Sequence, residues 1–159
     1  MRDKRFIAEH RGGQLTMDNH HKLIRWAREC SEHVLSIVDK DIDERLNHAL
    51  HIAKEWEAGN VTTGEAMKAS VIGHTVARES SDPVSEAVAR SVGHAVATAH
   101  MADHSTGAAL YALKAVKLAG KSIEEEFDWQ SGQLQLLPPE IAEIIVITLK
   151  RKGKSLQIF

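Results

Sequence analysis

VSEAVARSVGHAVATAHMADHSTGAALYALKAVKLA, residues 84–119, holds five formally charged side chains in 36: Glu86, Arg90, Asp103, Lys114 and Lys117. The whole chain is 26% charged, so this stretch is poor in charge, and it is rich in alanine. Small side chains let helix axes approach closely, and low charge permits burial on several faces. Val84, Val88, Val92, Ala95 and Ala99 recur at helical spacing on one side. The pattern predicts a helix to about Ala102, then a second helix capped by Asp103 or Ser105 and ending at Gly120. Helices this apolar belong at the centre of a bundle.

The flanking sequence is helical as well. From Asp18, the residues Leu23, Trp26, Ala27, Cys30, Val34, Ile37 and Val38 predict an amphipathic helix of about 20 residues, roughly 30 Å long. Asp41 and Glu44 form a capping-box-like pair for the next helix, closed by Gly59, with Leu46, Ala49, Leu50, Ala53 and Trp56 inward. Thr62 and Glu65 open another, with Ala66, Ala69, Val71, His74 and Ala77. Ser81-Asp82-Pro83 is a sharp break that also starts a helix, because proline at the first helical position loses no hydrogen bond. Ser122 and Glu125 cap a short acidic helix, and Pro138-Pro139 precede a last helix from Glu140 to about Lys150. The basic residues from Arg151 onward read as a frayed tail.

No run alternates as a strand would, so the fold class is all-α: a compact bundle of six or seven helices. The division is an N-terminal arm over 1–17, a bundle over 18–150 and a basic tail over 151–159. The central antiparallel pair falls within 62–102. Gly73-His74-Thr75-Val76-Ala77 recurs as Gly93-His94-Ala95-Val96-Ala97, and either an internal repeat or a close glycine crossing in each helix accounts for it.

Several function classes are excluded or disfavoured. A net charge of −2 on 159 residues does not suit a dedicated nucleic-acid binder. With 4% aromatic residues there is no base-stacking platform. The single cysteine, Cys30, can form neither an intrachain disulfide nor a multi-cysteine zinc site. Arg11-Gly12-Gly13-Gln14 reads as a turn, since a phosphate-cradling loop needs more glycines and a preceding strand. The longest apolar run, Ile144-Ile145-Val146-Ile147, cannot span a bilayer, and the charged start Met1-Arg2-Asp3-Lys4-Arg5 is no signal peptide. The expected location is the cytoplasm, with no membrane or nucleic-acid partner and no cofactor.

Ten histidines invite a chemical reading. On a continuous helix, Glu86, Arg90, His94 and His100 share an arc of about 120°, and His104 joins them if the helix runs on; His74 lies on the partner helix. His100-x-x-x-His104 has the spacing of two metal ligands on one face, with His74, or His33 and Cys30, as a source of a third. Met101 stands where a metalloprotease helix carries Glu. The plainer account is a structural network of satisfied histidines. Asp103-His104-Ser105 has triad residue types, but neighbours on a helix point about 100° apart and cannot act in series. Cys30 with His33 could pair as thiolate and base, although a lone cysteine on an apolar face suits core packing. Trp26, Trp56 and Tyr111 sit at core positions. Trp129 is the tryptophan least clearly assigned to the core: following Glu124-Glu125-Glu126-Phe127-Asp128, it either covers a helix end or forms with these acids a candidate partner surface. The acids equally suit a solvated helix start, and Lys150-Arg151-Lys152 with Lys154 suit a helix end.

Several segments together resemble a bacterial family of immunity proteins with a helical type-five-like domain. They are Lys4-Arg5-Phe6 to Gly12-Gly13, Trp26-Ala27 with Cys30 and His33-Val34-Leu35, and Asp43-Glu44-Arg45-Leu46. Ala53-Lys54-Glu55-Trp56, Ala77-Arg78-Glu79, the long stretch Ala89 to His104, and Ala108 through Tyr111 to Ala115 continue it. The likeness covers about residues 4–130 and fades after Trp129-Gln130. It implies an all-helical protein that binds and neutralises a cognate toxin, and the lack of a credible nucleophile or phosphate loop makes stoichiometric masking without turnover the expected mode. The family pattern includes Arg90, His94, His100 and His104 without assigning them a role. The alternatives are a metal-binding protein or metal-dependent enzyme using the histidine stripe, and a helical module that forms a homo-oligomer through an Ala-rich face.

Overall fold

The computed structural model describes residues 2–159, and Met1 lies outside the described residues. Among the described residues seven α-helices make an all-α bundle: α1 Met17–His33, α2 Glu44–Glu57, α3 Thr63–Glu79, α4 Pro83–Ala97, α5 His104–Leu118, α6 Ile123–Gly132 and α7 Pro139–Ser155. Short 3-10 turns lie in the arm before α1, between α1 and α2 and between α6 and α7, and among the described residues no strand forms beyond one bridge between Ala8 and Leu15.

Local chemistry starts and stops the helices. Thr16 caps α1, accepting from the Asn19 N–H at 3.1 Å. Thr62 and Glu65 form a full capping box at α3, and Asp82 accepts from the Ser85 N–H at 2.8 Å with Pro83 at the first helical position. Gly59 and Gly120 take φ of +81° and +72° after α2 and α5, a left-handed conformation that costs glycine nothing.

α4 is the hub, packed against α1, α2, α3 and α5. Val88, Ala89, Val92, Ala95 and Val96 are fully buried on it. Its approach to α3 is close because Gly73 meets Gly93: a Cβ on Gly73 would lie 3.0 Å from the Gly93 Cα. This is the close-crossing account of the repeated Gly-His segments. Small hydroxyls stitch the same interfaces: Ser70 Oγ donates to the Gly93 carbonyl at 3.0 Å and Ser91 Oγ to that of Ala108 at 2.7 Å.

Several elements depart from the sequence reading. α1 ends at His33, and the chain tightens into a 3-10 turn that packs Leu35, Ile37 and Val38 around Val34, Val88 and Val116. Asp43, not Asp41, caps α2, because its carboxylate accepts from the Arg45 N–H at 2.9 Å. Val71 is exposed on α3, and Ser70, Gly73 and Val76 face inward instead. At α6 Ser122 caps Glu125, without the reciprocal bond of a box. α4 stops at Ala97, five residues early, where the Thr98 hydroxyl bonds back to the His94 carbonyl at 3.1 Å. Asp103 precedes α5 but gives it no side-chain cap, since Arg2 holds the carboxylate through two contacts of 3.2 Å.

The two ends of the chain are built into the core. Phe6 and Leu15 of the arm share one apolar cluster with Leu23, Trp26, Leu113, Ile145 and Ile158. α7 runs to Ser155, and the residues beyond it fold back so that the Phe159 ring covers Gly153 and Ile158 is buried. The tail is therefore not frayed. The Ala-rich faces of α4 and α5 are also inside: Ala89, Ala95, Ala108, Ala109, Ala112 and Ala115 are fully buried, so they are not a face on which a second copy could dock.

Candidate functional site

Where α3, α4 and α5 meet, four imidazoles form a chain. His74 of α3 lies against Gly93, where a Cβ would fall 2.9 Å from its ring. His94 of α4 lies against Gly107 of α5, where a Cβ would fall 2.7 Å from its Nδ1. Each glycine thus leaves the room that a ring fills. The His74 and His94 rings meet edge to face at 5.0 Å, and His94 stacks on Tyr111 at 5.2 Å. His104 lies 5.3 Å from His94 and 5.4 Å from His100, centre to centre.

The hydrogen bonds fix most of the protons. Arg90 Nη1 donates to His74 Nδ1 at 2.9 Å, so that nitrogen carries a lone pair. His94 Nδ1 and His104 Nδ1 lie 3.2 Å apart and share one proton, since one must donate and the other accept. His100 Nδ1 is buried without a partner. Burial, then His74, His104 and Arg90, hold His94 down to about 3. Burial likewise lowers His74, with Arg90 adding to it, and His100 and His104, where Asp103 opposes it.

The structure therefore gathers Arg90, His74, His94, His100 and His104. It does so by a different route from the one the spacing suggests: α4 ends, the chain turns through Thr98–Ala102, and α5 returns His104 to His94. Glu86 is exposed one turn before Arg90 and forms no ion pair or hydrogen bond with the cluster. Among the described residues no group of three or more His, Cys, Asp or Glu is arranged to hold a metal ion. The triad types do not assemble either: Asp103 is taken by Arg2, His104 faces His94, and Ser105 Oγ is buried without a partner. Cys30 is fully buried, which raises its thiol well above the ordinary value and suits packing rather than nucleophilic work.

The acidic run divides. Glu126 is buried and accepts from His33 Nδ1 at 2.7 Å. Trp129 stacks flat on the same His33, with ring centres 3.6 Å apart and planes 4° off parallel. These two are tied into the α1–α6 contact, and Glu124, Glu125 and Asp128 remain exposed. Trp26 and Trp56 are buried as the spacing suggests, donating to the Gln130 carbonyl and to Thr63 Oγ1. Beside the exposed acids opens an apolar cleft of about 780 Å³ over Ile123, Phe127 and Phe159, rimmed by Glu124, Lys150 and Lys154. Sequence reasoning missed this cleft because it took the last residues as loose. The signal was present in the apolar residues Leu156, Ile158 and Phe159 after a basic stretch.

Among known proteins, the family model described as "Imm-5 like putative immunity protein" matches residues 13–137. No curated protein matches the chain, and no solved structure matches it.

Proposed function

The chain belongs to the Imm-5 like family of immunity proteins, and on that premise we propose that it binds a cognate protein toxin and neutralises it by stoichiometric masking, without turnover. The observation that carries this reading is the family match across residues 13–137, which takes in α1 to α6 and the histidine network.

The surface best suited to the partner is the exposed end of α6 with the adjoining cleft. Specific protein partners bury about 800 Å² on each side, around an apolar centre with a polar rim. Ile123, Phe127 and Phe159 supply such a centre, and Glu124, Glu125 and Asp128 supply acidic charge beside it. A basic toxin surface fits that charge. Trp129, half-buried with its ring stacked on His33, adjoins these acids.

The experiment is a titration of the toxin, taken as the product of the gene next to this one. Protection should saturate at a fixed molar ratio, and a double change Glu124→Lys, Glu125→Lys at these exposed positions should weaken it while the helical circular dichroism signal is kept. Protection far below one equivalent that outlasts removal of the protein would mean catalytic modification and would overturn masking.

A further inference from the structure

The family match gives the histidine network no task. Its geometry constrains where protons can go. His74 receives a hydrogen bond from Arg90 on Nδ1 at 2.9 Å, so a proton placed there would set two N–H donors face to face. The His94–His104 pair can carry one added proton on the outer nitrogen of its donor ring. A second must enter the shared 3.2 Å contact, again opposing two donors. The His74 ring rests against Gly93 and the His94 ring against Gly107.

The surroundings do not compensate added charge. Arg90 of α4, Arg78 of α3, Lys152 of α7 and Arg2 of the arm all act against added positive charge on the rings. α5 contributes Tyr111, whose ring already has Lys114 Nζ 5.7 Å from its centre. Asp103 is the acid that acts on His100 and His104, and it is engaged by Arg2. Glu86, on α4, is exposed and unpaired with them. α1 sends His20 to the Thr98 carbonyl at 2.6 Å, against Trp56 of α2.

We propose that this network is an acid-sensitive latch: it joins α3 and α5 to α4 while its imidazoles are neutral, and protonation breaks its shared hydrogen bonds and parts those helices. α7 is held by an apolar cluster in which Ile141, Ile145 and Leu149 meet Leu110 and Leu113, with no imidazole among them, and it stays closed longer. The lowered proton affinities agree in sign. A histidine held below its ordinary value leaves the unfolded chain binding more protons, so stability is complete above about pH 6.5 and declines as pH falls through that value. Each such histidine changes the opening equilibrium by about tenfold per pH unit until its folded-state value is reached, about 3 for His94.

Amide hydrogen exchange on the intact chain, corrected for intrinsic rates, tests this at pH 7.5 and 5.0. Amides of α3, α4 and α5 should lose at least tenfold more protection than those of α7, and the variant His94→Gln, His104→Gln should lose that difference. A uniform loss, or the same difference in the variant, would overturn the latch. Should the variant fail to fold, imidazole ¹⁵N shifts of the unmodified protein decide. His94 and His104 should report one shared proton down to about pH 5. Independent titration of both near pH 6.5 with protection intact would refute the proposal.

Discussion

Gly73 and Gly132 both lie in helices, yet opposite outcomes follow from replacing them with alanine. Alanine at Gly73 sets a methyl 3.0 Å from backbone of Gly93, which cannot rotate away. The helices must separate, and the loss of packing should exceed the gain in helix propensity, for a net cost of about 1–3 kcal/mol. At Gly132 nothing lies within 4 Å, and φ is −62°, so alanine should stabilise by about 0.5–1 kcal/mol. Thermal unfolding of the two variants checks both signs. Val92→Asp makes a harsher test of the apolar face, because the side chain is fully buried: an unpaired carboxylate there should cost about 3–5 kcal/mol, read as a collapse of the urea midpoint. Val92 was legible from its spacing, as were the cap at Thr62 and the break at Asp82-Pro83. The Arg90–His74 bond and the shared His94–His104 proton were not, because a hydrogen bond between helices depends on ring placement to within a few tenths of an ångström.

At the level of elements, periodicity located every helix and misjudged where α1, α4 and α7 end. α4 illustrates why. Nothing in His94–Ala102 forbids helix, yet a threonine back-bond and a buried turn end it after Ala97, and the Asp103 carboxylate that should cap α5 is drawn to Arg2, 101 residues away in sequence. Such competition between local and distant partners is invisible in one stretch of chain. The tail is the same case in reverse: Arg151 to Lys154 read as solvated, while Gly153 leaves a seat for the Phe159 ring and Ile158 enters the core. Removing residues 156–159 should therefore destabilise the protein by about 2–4 kcal/mol, the usual cost of vacating a buried isoleucine site with its neighbours. Urea unfolding would show it as a lower midpoint with the helical spectrum unchanged before the transition. An unchanged midpoint would restore the frayed tail.

Over the whole molecule, 20 Lys and Arg nearly balance 22 Asp and Glu, so net charge alone cannot steer a partner. Distribution can. Glu124, Glu125 and Asp128 crowd the first turns of α6, where they also complement the helix dipole, and they stand exposed beside the apolar cleft. Lys150 and Lys154 rim the opposite side of that cleft, so the field across it is polar rather than uniformly negative. A basic toxin approaching the proposed surface would be drawn to the α6 side and turned by the lysines into one orientation. Charged groups at a rim act mainly on encounter, and exposed charges further apart than about 8 Å are screened at physiological salt. Exchanging Glu124 and Glu125 for lysine should therefore slow association with the toxin by about tenfold at low salt and leave dissociation nearly unchanged. Raising salt to about 0.5 M should remove most of the difference between the two proteins, because both then associate at the unsteered rate. Stopped-flow measurement of both rate constants across salt separates the alternatives: a faster dissociation with unaltered association would place these acids inside a desolvated contact, and no effect on either rate would move the toxin to another face.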